Sequence, residues 1–222
     1  QWGMKVARND ARAVVRKARG KGKRKRQVIL GGHSLGASLT AAYAAWDFNG
    51  RPGYKDIDGM VLIDGGLLGS FTPYNLTEAQ QAIADLGAGN PFLDLIGIPF
   101  MPEAAGIFAE VGGIFASLAP TDPATTLQSF HLRKVNDPLY VIQTDLTDGG
   151  VLAGGRAFIE RARTTKRQST LVNADPEQAH LDPLMAAEDR NAFYSTLVPF
   201  LRKKVFPLAK QDKKPRKRKG RG

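Results

Sequence analysis

Residues 27–38, QVILGGHSLGAS, decide the fold of this chain. Its first five residues, QVILG at 27–31, are largely apolar and include β-branched side chains, which predicts a short buried strand. The alanine-rich stretch LTAAYAAW at 39–46 predicts a helix, and MVLI at 60–63 predicts a second buried strand. A strand, a helix and a strand in this order indicate a parallel βαβ unit whose helix packs on the sheet.

The strand pattern returns in the second half of the chain. LYVIQ at 139–143 and STLVN at 169–173 each predict a strand, with a crossover helix at 154–163 between them. Asp182-Pro183 predicts the start of the last helix, because Asp caps helices and Pro suits the first helical position. Near the other end of the chain, Asp10 predicts the cap of a first helix. The predicted fold class is therefore α/β, with a mostly parallel sheet and flanking helices.

Residues 67–137 depart from this alternation of strands and helices. Six prolines divide the segment into short pieces rich in Phe, Ile, Leu and Gly, which predicts a helical cap, or lid, inserted into the core. On this division, residues 1–66 and 138–208 form the core. Residues 209–222 form a basic tail that we expect to be disordered, because its composition buries too little apolar surface.

Composition and charge exclude several classes of protein. The 222 residues contain no cysteine, which excludes a disulfide framework, a thiolate metal site and a cysteine nucleophile. The longest uncharged apolar stretches fall short of the roughly 18 residues that a membrane-spanning helix needs. The net charge is +11, and the tracts at 16–26 and 209–222 contribute +8 and +7, so the remaining residues carry −4. The basic tail predicts weak polyanion contact without sequence preference, although neither tract contains an aromatic residue for base stacking.

Gly32, Ser34 and Gly36 form a G-x-S-x-G pattern directly after the first predicted strand and directly before its helix. In this context Ser34 is expected on a tight, strained turn that exposes its hydroxyl, with glycines that let strand and helix approach closely. The new helix directs its first amides at the same point, so the N–H of Leu35 is the predicted oxyanion-hole donor. Ser34 is the predicted nucleophile.

These features make the sequence resemble the α/β-hydrolase superfamily, in particular serine esterases and lipases. The resemblance rests on residues 28–38 (VILGGHSLGAS), on residues 60–66 (MVLIDGG), on the late acidic region and on the late histidine. It implies a catalytic triad in the order Ser, Asp or Glu, His, which cleaves carboxylic esters through an acyl-enzyme without a metal or organic cofactor. The apolar composition of the predicted cap favours ester substrates with an apolar acyl group.

The chain contains three histidines that are candidates for the base of this triad. His33 lies beside Ser34 in the motif, where we expect a structural role, and His131 precedes the strand that should carry the acid. His180 lies in the loop after the last predicted strand, where the resemblance implies the base. His180 is therefore the predicted base.

The resemblance implies an acid a few residues beyond the strand at 139–143. Asp148 fits this spacing best, and Asp145, closer to the strand, is the alternative acid. Asp64, at the end of the strand at 60–63, is a further candidate because some lipases carry the acid there. Glu177, close to His180, is more simply explained as a turn residue.

The α/β-hydrolase pattern usually has four strands before the nucleophile strand, whereas only about 26 residues precede Gln27 here. We therefore expect a C-terminal portion of a longer hydrolase, without the loop that supplies the second oxyanion-hole donor. Two alternative functions come from other classes: a non-catalytic relative that acts as a binding protein, and a polyanion-binding protein that uses the basic tracts.

Overall fold

The structure is a computed structural model, which describes residues 4–21, 26–65, 134–145 and 149–207, together with residue 88 and the pairs 92–93 and 103–104. The strands are β1 (Ile29–His33), β2 (Gly59–Ile63), β3 (Phe92–Leu93), β4 (Glu103–Ala104), β5 (Leu139–Gln143) and β6 (Ser169–Asn173). The α-helices are α1 (Met4–Arg19), α2 (Leu35–Ala45), α3 (Gly150–Arg161), α4 (Asp182–Met185) and α5 (Ala192–Phe200). A π-helical segment, Leu201–Val205, continues α5, and 3₁₀ turns occupy Gly53–Asp56, Lys166–Gln168 and Glu188–Arg190.

Four strands form one sheet in the order β1-β2-β5-β6, and each neighbouring pair is parallel. This confirms the predicted parallel sheet. Every residue of β2 and β5 is buried. Burial on both faces explains why these two strands have continuous apolar runs in the sequence, whereas a strand with one solvated face alternates apolar and polar residues.

Helices cover both faces of the sheet, and alternate residues of β2 pack into the two resulting core clusters. Met60 and Leu62 belong to the cluster that includes side chains from α1, α2 and α3. Val61 and Ile63 belong to the cluster that includes side chains from α5 and the π-helical segment. The sheet is therefore the middle of three layers, as expected for an α/β core.

The helix boundaries differ from the predicted ones at both ends of the chain. Asp10 lies inside α1, because the helix begins six residues earlier at Met4, and so Asp10 is not a cap. Asp182-Pro183 does open a helix, but α4 has only four residues and Leu181 holds its N-cap position. The longer helix α5 is capped by Asn191, whose side chain accepts a hydrogen bond from the N–H of Phe193 at 3.0 Å.

Most of the predicted cap segment lies outside the described residues, and the helical cap stays a prediction. Two of its short pieces are described: β3 and β4 pair antiparallel, with Phe92 opposite Ala104. The sequence did not predict this strand pair. The tail at 209–222 also lies outside the described residues. Within the described ranges, no helix has the length and apolarity required to cross a bilayer.

Candidate active site

Ser34 lies at the tight turn between β1 and α2. Its backbone has φ 54° and ψ −124°, a conformation that costs a residue with a side chain about 1–3 kcal/mol. The N–H of Ser34 donates to the carbonyl oxygen of Ile63 at 2.8 Å, and the N–H of Ala37 donates to the carbonyl oxygen of Ser34 at 2.9 Å. The strained turn is therefore held by the end of β2 on one side and by the first turn of α2 on the other.

At two positions beside this turn, neighbouring backbone atoms are so close that only glycine fits. A Cβ atom at Gly32 would lie 2.0 Å from the carbonyl oxygen of Gly36, and one at Gly65 would lie 2.2 Å from the carbonyl oxygen of Ser34. A Cβ at Gly36 would meet nothing within 4 Å. The expected close approach is therefore found at Gly32 but not at Gly36, and Gly65 is a contact that the sequence analysis missed.

Asp64 and His180 are joined by a short side-chain contact. His180 Nδ1 lies 2.6 Å from Asp64 Oδ2, and the Asp64 side chain is fully buried while that of His180 is 26% exposed. Thr144 donates twice to the same carboxylate: its N–H lies 2.8 Å from Asp64 Oδ1, and its hydroxyl donates to Asp64 Oδ2. Asp64 is thus an acceptor whose two oxygens are both occupied.

The structure places Asp64, the further candidate of the sequence analysis, against the ring of His180. The position on the His180 ring that we predicted for Asp148 or Asp145 is occupied by Asp64. Asp145 is exposed, and its backbone N–H donates to the carbonyl oxygen of Gln178 at 3.1 Å. Asp148 lies outside the described residues. The physical reason is the strand order: β2 lies between β1 and β5, so its carboxyl end is beside both the Ser34 turn and Thr144.

The hydrogen bonds on Asp64 fix the proton arrangement of His180. Burial disfavours the charged carboxylate, but the hydrogen bonds from His180 and Thr144 outweigh it and lower the pKa of Asp64 below its usual value. An ionised carboxylate can only accept, so the proton between the two residues belongs to His180 Nδ1. In the neutral imidazole, Nε2 is then left with a free lone pair.

His33 connects the Ser34 turn to the loop that carries His180. His33 Nε2 lies 2.8 Å from the backbone carbonyl oxygen of His180, and the two ring centroids are 4.3 Å apart. Because a carbonyl oxygen only accepts, His33 must carry its proton on Nε2. Burial lowers the pKa of His33 below its usual value, although the hydrogen bond to the backbone of His180 acts in the opposite direction. The lowered pKa favours the neutral imidazole, which donates to the His180 carbonyl oxygen through Nε2.

Further hydrogen bonds hold the loop on both sides of His180. The N–H of Gln178 donates to the carbonyl oxygen of Ala174 at 2.8 Å, and the side-chain amide of Gln178 donates to the carbonyl oxygen of Arg190 at 2.8 Å. Asp182 accepts from the N–H of Ala179 at 2.8 Å. His180 is thus presented from a loop whose backbone is fixed on either side.

Comparisons with solved structures show that this architecture is the α/β-hydrolase fold, which confirms the expected fold. A structure reported for LipS and LipT, two metagenome-derived lipolytic enzymes, matches with a TM-score of 0.57 and 19% identity over 91% of this chain and 74% of the other. A soluble variant of monoglyceride lipase from Saccharomyces cerevisiae matches with a TM-score of 0.55 and 15% identity, over 92% and 68% of the two chains. MenH from S. aureus matches with a TM-score of 0.51 and 15% identity, over 91% and 76%. No protein-family model and no curated protein sequence matches this chain.

Proposed function

We propose that this protein is a serine hydrolase that cleaves carboxylic esters, with Ser34 as nucleophile, His180 as general base and Asp64 as the acid. The observation that carries the proposal is the 2.6 Å contact between His180 Nδ1 and the buried Asp64 Oδ2. This pairing leaves Nε2 of the imidazole free to accept a proton, which is the state that a general base needs.

Backbone contacts support the placement of all three residues at one end of the sheet. Gly65, which follows Asp64, packs directly against the carbonyl group of Ser34. His33, which precedes Ser34, donates to the backbone of His180. These backbone contacts bring the segments that carry Ser34, Asp64 and His180 together, and they support the proposed triad.

The proposed reaction begins when Ser34 Oγ attacks the ester carbonyl carbon while His180 Nε2 accepts the hydroxyl proton. Asp64 stabilises the imidazolium that forms. The imidazolium then gives this proton to the departing alcohol, which leaves an acyl group on Ser34. Water, deprotonated by His180, attacks the acyl-enzyme, and Ser34 recovers its proton as the carboxylic acid is released. The N–H of Leu35, at the start of α2, is the proposed donor to the developing oxyanion.

The surface beside His180 favours a substrate with an apolar group. Leu181 and Met185 are 52% and 75% exposed, and Leu184, from the same short helix as Met185, is also exposed. The structural neighbours whose names state a lipid substrate, the lipolytic enzymes and the monoglyceride lipase, act on esters of this kind. We therefore propose an ester substrate with an apolar acyl group.

The test is labelling of the purified protein by a fluorophosphonate probe, together with hydrolysis of p-nitrophenyl butyrate. Ser34→Ala should abolish the labelling and lower hydrolysis to background, because no other hydroxyl lies at the strained turn. Ser195→Ala, which removes an exposed hydroxyl from α5, is the matched control and should label like the parent. Labelling that persists in Ser34→Ala, with an unchanged melting temperature, would contradict the proposal.

A further inference from the structure

A basic groove of about 880 Å³ lies between the C-terminal end of α1 and the 3₁₀ turn at Gly53–Asp56. Five cationic side chains and one carboxylate line it: Arg16, Lys17, Arg19, Lys21, Arg51 and Asp56. We refer to these six residues as the basic groove. None of them takes part in the proposed ester hydrolysis.

Two of the arginines are held in place by neighbouring acceptors. Arg19 pairs with Asp58 at 2.9 Å and also donates to the carbonyl oxygen of Asp56 at 3.0 Å. Arg51 pairs with Asp56 at 2.7 Å and donates to the carbonyl oxygen of Lys55 at 3.2 Å. A guanidinium has five N–H donors, so each of these side chains keeps donors for a ligand while its position is already fixed.

The remaining cations of the groove have no counterion in the described part of the chain. Arg16, Lys17 and Lys21 form no ion pair there, and the single carboxylate, Asp56, is already shared by Arg12 and Arg51. Cations at the end of α1 gain about 0.3–1 kcal/mol each from the helix dipole. Arg51 comes from a different element and lines the same groove, where it pairs with Asp56.

The basic groove lies at the opposite end of the sheet from the candidate active site. Asp58, which holds Arg19, accepts the N–H of Val28 at 2.8 Å just before β1 begins, whereas Ser34 follows the end of β1. Six residues of extended chain span about 20 Å at 3.3 Å per residue. An ester bound at Ser34 is therefore out of reach of the basic groove, so a ligand of the groove is distinct from the ester substrate.

We propose that the basic groove binds a small ligand that carries two or more linked phosphate groups. Fixed guanidinium groups match the geometry of phosphate oxygens and bind them through paired hydrogen bonds. Several convergent cations suit a chain of phosphates better than a single carboxylate does. The volume falls within the roughly 300–1,000 Å³ of small-molecule sites. The stretch from Arg16 to Lys21 contains no aromatic side chain for stacking a single-stranded nucleic acid.

The experiment is calorimetric titration of the protein with inorganic tripolyphosphate and, in a second arm, with ATP, at low and high salt. The groove variant is Lys17→Gln with Lys21→Gln, both exposed positions, and the matched control is Arg202→Gln with Lys203→Gln in the π-helical segment. We expect one molecule bound per chain, with affinity falling as salt rises, and about tenfold weaker binding for the groove variant only. Equal affinity for tripolyphosphate and ATP would show that the groove recognises only the phosphate groups. Tighter binding of ATP would show that the groove also contacts the nucleoside.

Three results would overturn this proposal: no binding of tripolyphosphate at low salt, equal loss of affinity in both double variants, or tighter binding of duplex DNA than of tripolyphosphate. Hydrolysis of p-nitrophenyl butyrate should be the same in the parent and the groove variant. The titration tests the proposed phosphate site and the ester assay tests the proposed hydrolase activity, so either proposal can fail without the other.

Discussion

The imidazole of His33 donates a hydrogen bond from Nε2 to the backbone carbonyl oxygen of His180 at 2.8 Å. The two residues are 147 positions apart in sequence, yet this contact joins the end of β1 to the loop after β6. It places the residue before the candidate nucleophile directly on the backbone of the candidate base. In the proposed reaction, we expect His33 to be a positioning residue that acts through the orientation of His180.

Replacing His33 by Phe removes the donor while it keeps a planar ring. We expect kcat for ester hydrolysis to fall about five- to tenfold with little change in KM, since a hydrogen bond of this type contributes roughly 1 kcal/mol. His33→Gln retains an N–H donor and should recover part of the loss. Steady-state kinetics of the three proteins test this expectation. A larger effect on KM than on kcat, or no recovery by Gln, would contradict a positioning role.

Asp64 should be the acid on which the activity depends. Asp64→Asn preserves the shape of the side chain but no longer stabilises the imidazolium, so kcat should fall by up to about 10⁴-fold. Asp145→Asn is the matched control, because Asp145 is exposed and does not contact the His180 ring among the contacts described here. Activity that is lost in Asp145→Asn and retained in Asp64→Asn would show that the acid lies after β5, as the sequence analysis predicted.

The predicted and observed partners of His180 differ because the sequence pattern predicts strands but not their order in the sheet. The runs MVLI and LYVIQ predicted β2 and β5, because a strand buried on both faces leaves a continuous apolar signature. Which strand end lies beside which loop depends on the order β1-β2-β5-β6, and that order is not visible in local periodicity. Asp64 was visible in the sequence as a residue at a strand end. Its role as partner of His180 follows only from the position of β2 between its neighbours.

The Ser34 turn was predictable for a different reason. G-x-S-x-G between a strand and a helix is a local pattern, and the positive φ of Ser34 is a local property. Gly65 and Thr144 were missed because their contacts, with the Ser34 carbonyl group and with the Asp64 carboxylate, join segments distant in sequence. The Asp64-Gly65-Gly66 run after MVLI was the one available signal for Gly65.

Gly65 and Gly36 provide a matched pair for testing the packing of the turn. A Cβ at Gly65 would lie 2.2 Å from the Ser34 carbonyl oxygen, so Gly65→Ala must displace the turn and should lower both melting temperature and activity. A Cβ at Gly36 would meet nothing within 4 Å. Because Ala is also the better helix former, Gly36→Ala should leave the melting temperature unchanged or slightly higher. Thermal denaturation measures both effects. Similar destabilisation by the two substitutions would show that the close backbone contact at Gly65 does not determine the stability of the Ser34 turn.

Asp137, two residues before β5 begins at Leu139, should make stability depend on pH. Its side chain is buried, and its Oδ2 atom has no hydrogen-bond partner in the described structure. Burial, reinforced by the nearby Asp58, raises the pKa of Asp137 from 3.8 to about 8. A carboxyl group with a raised pKa contributes its full stability below the unfolded pKa, and this contribution is lost as the pH rises through the folded pKa.

Asp137→Asn replaces this carboxyl by a neutral amide of similar shape, so its effect should grow with pH. Between about pH 4 and pH 8 the gain in the free energy of unfolding should rise, to the order of 4 kcal/mol at pH 7, since one pKa unit corresponds to about 1.4 kcal/mol. Above pH 8 the gain should level off. Urea denaturation at a series of pH values measures it, with Asp189→Asn at an exposed position as the control. A gain that is independent of pH, or a loss of stability at pH 7, would show that Asp137 is ionised in the folded protein with a partner that compensates its charge.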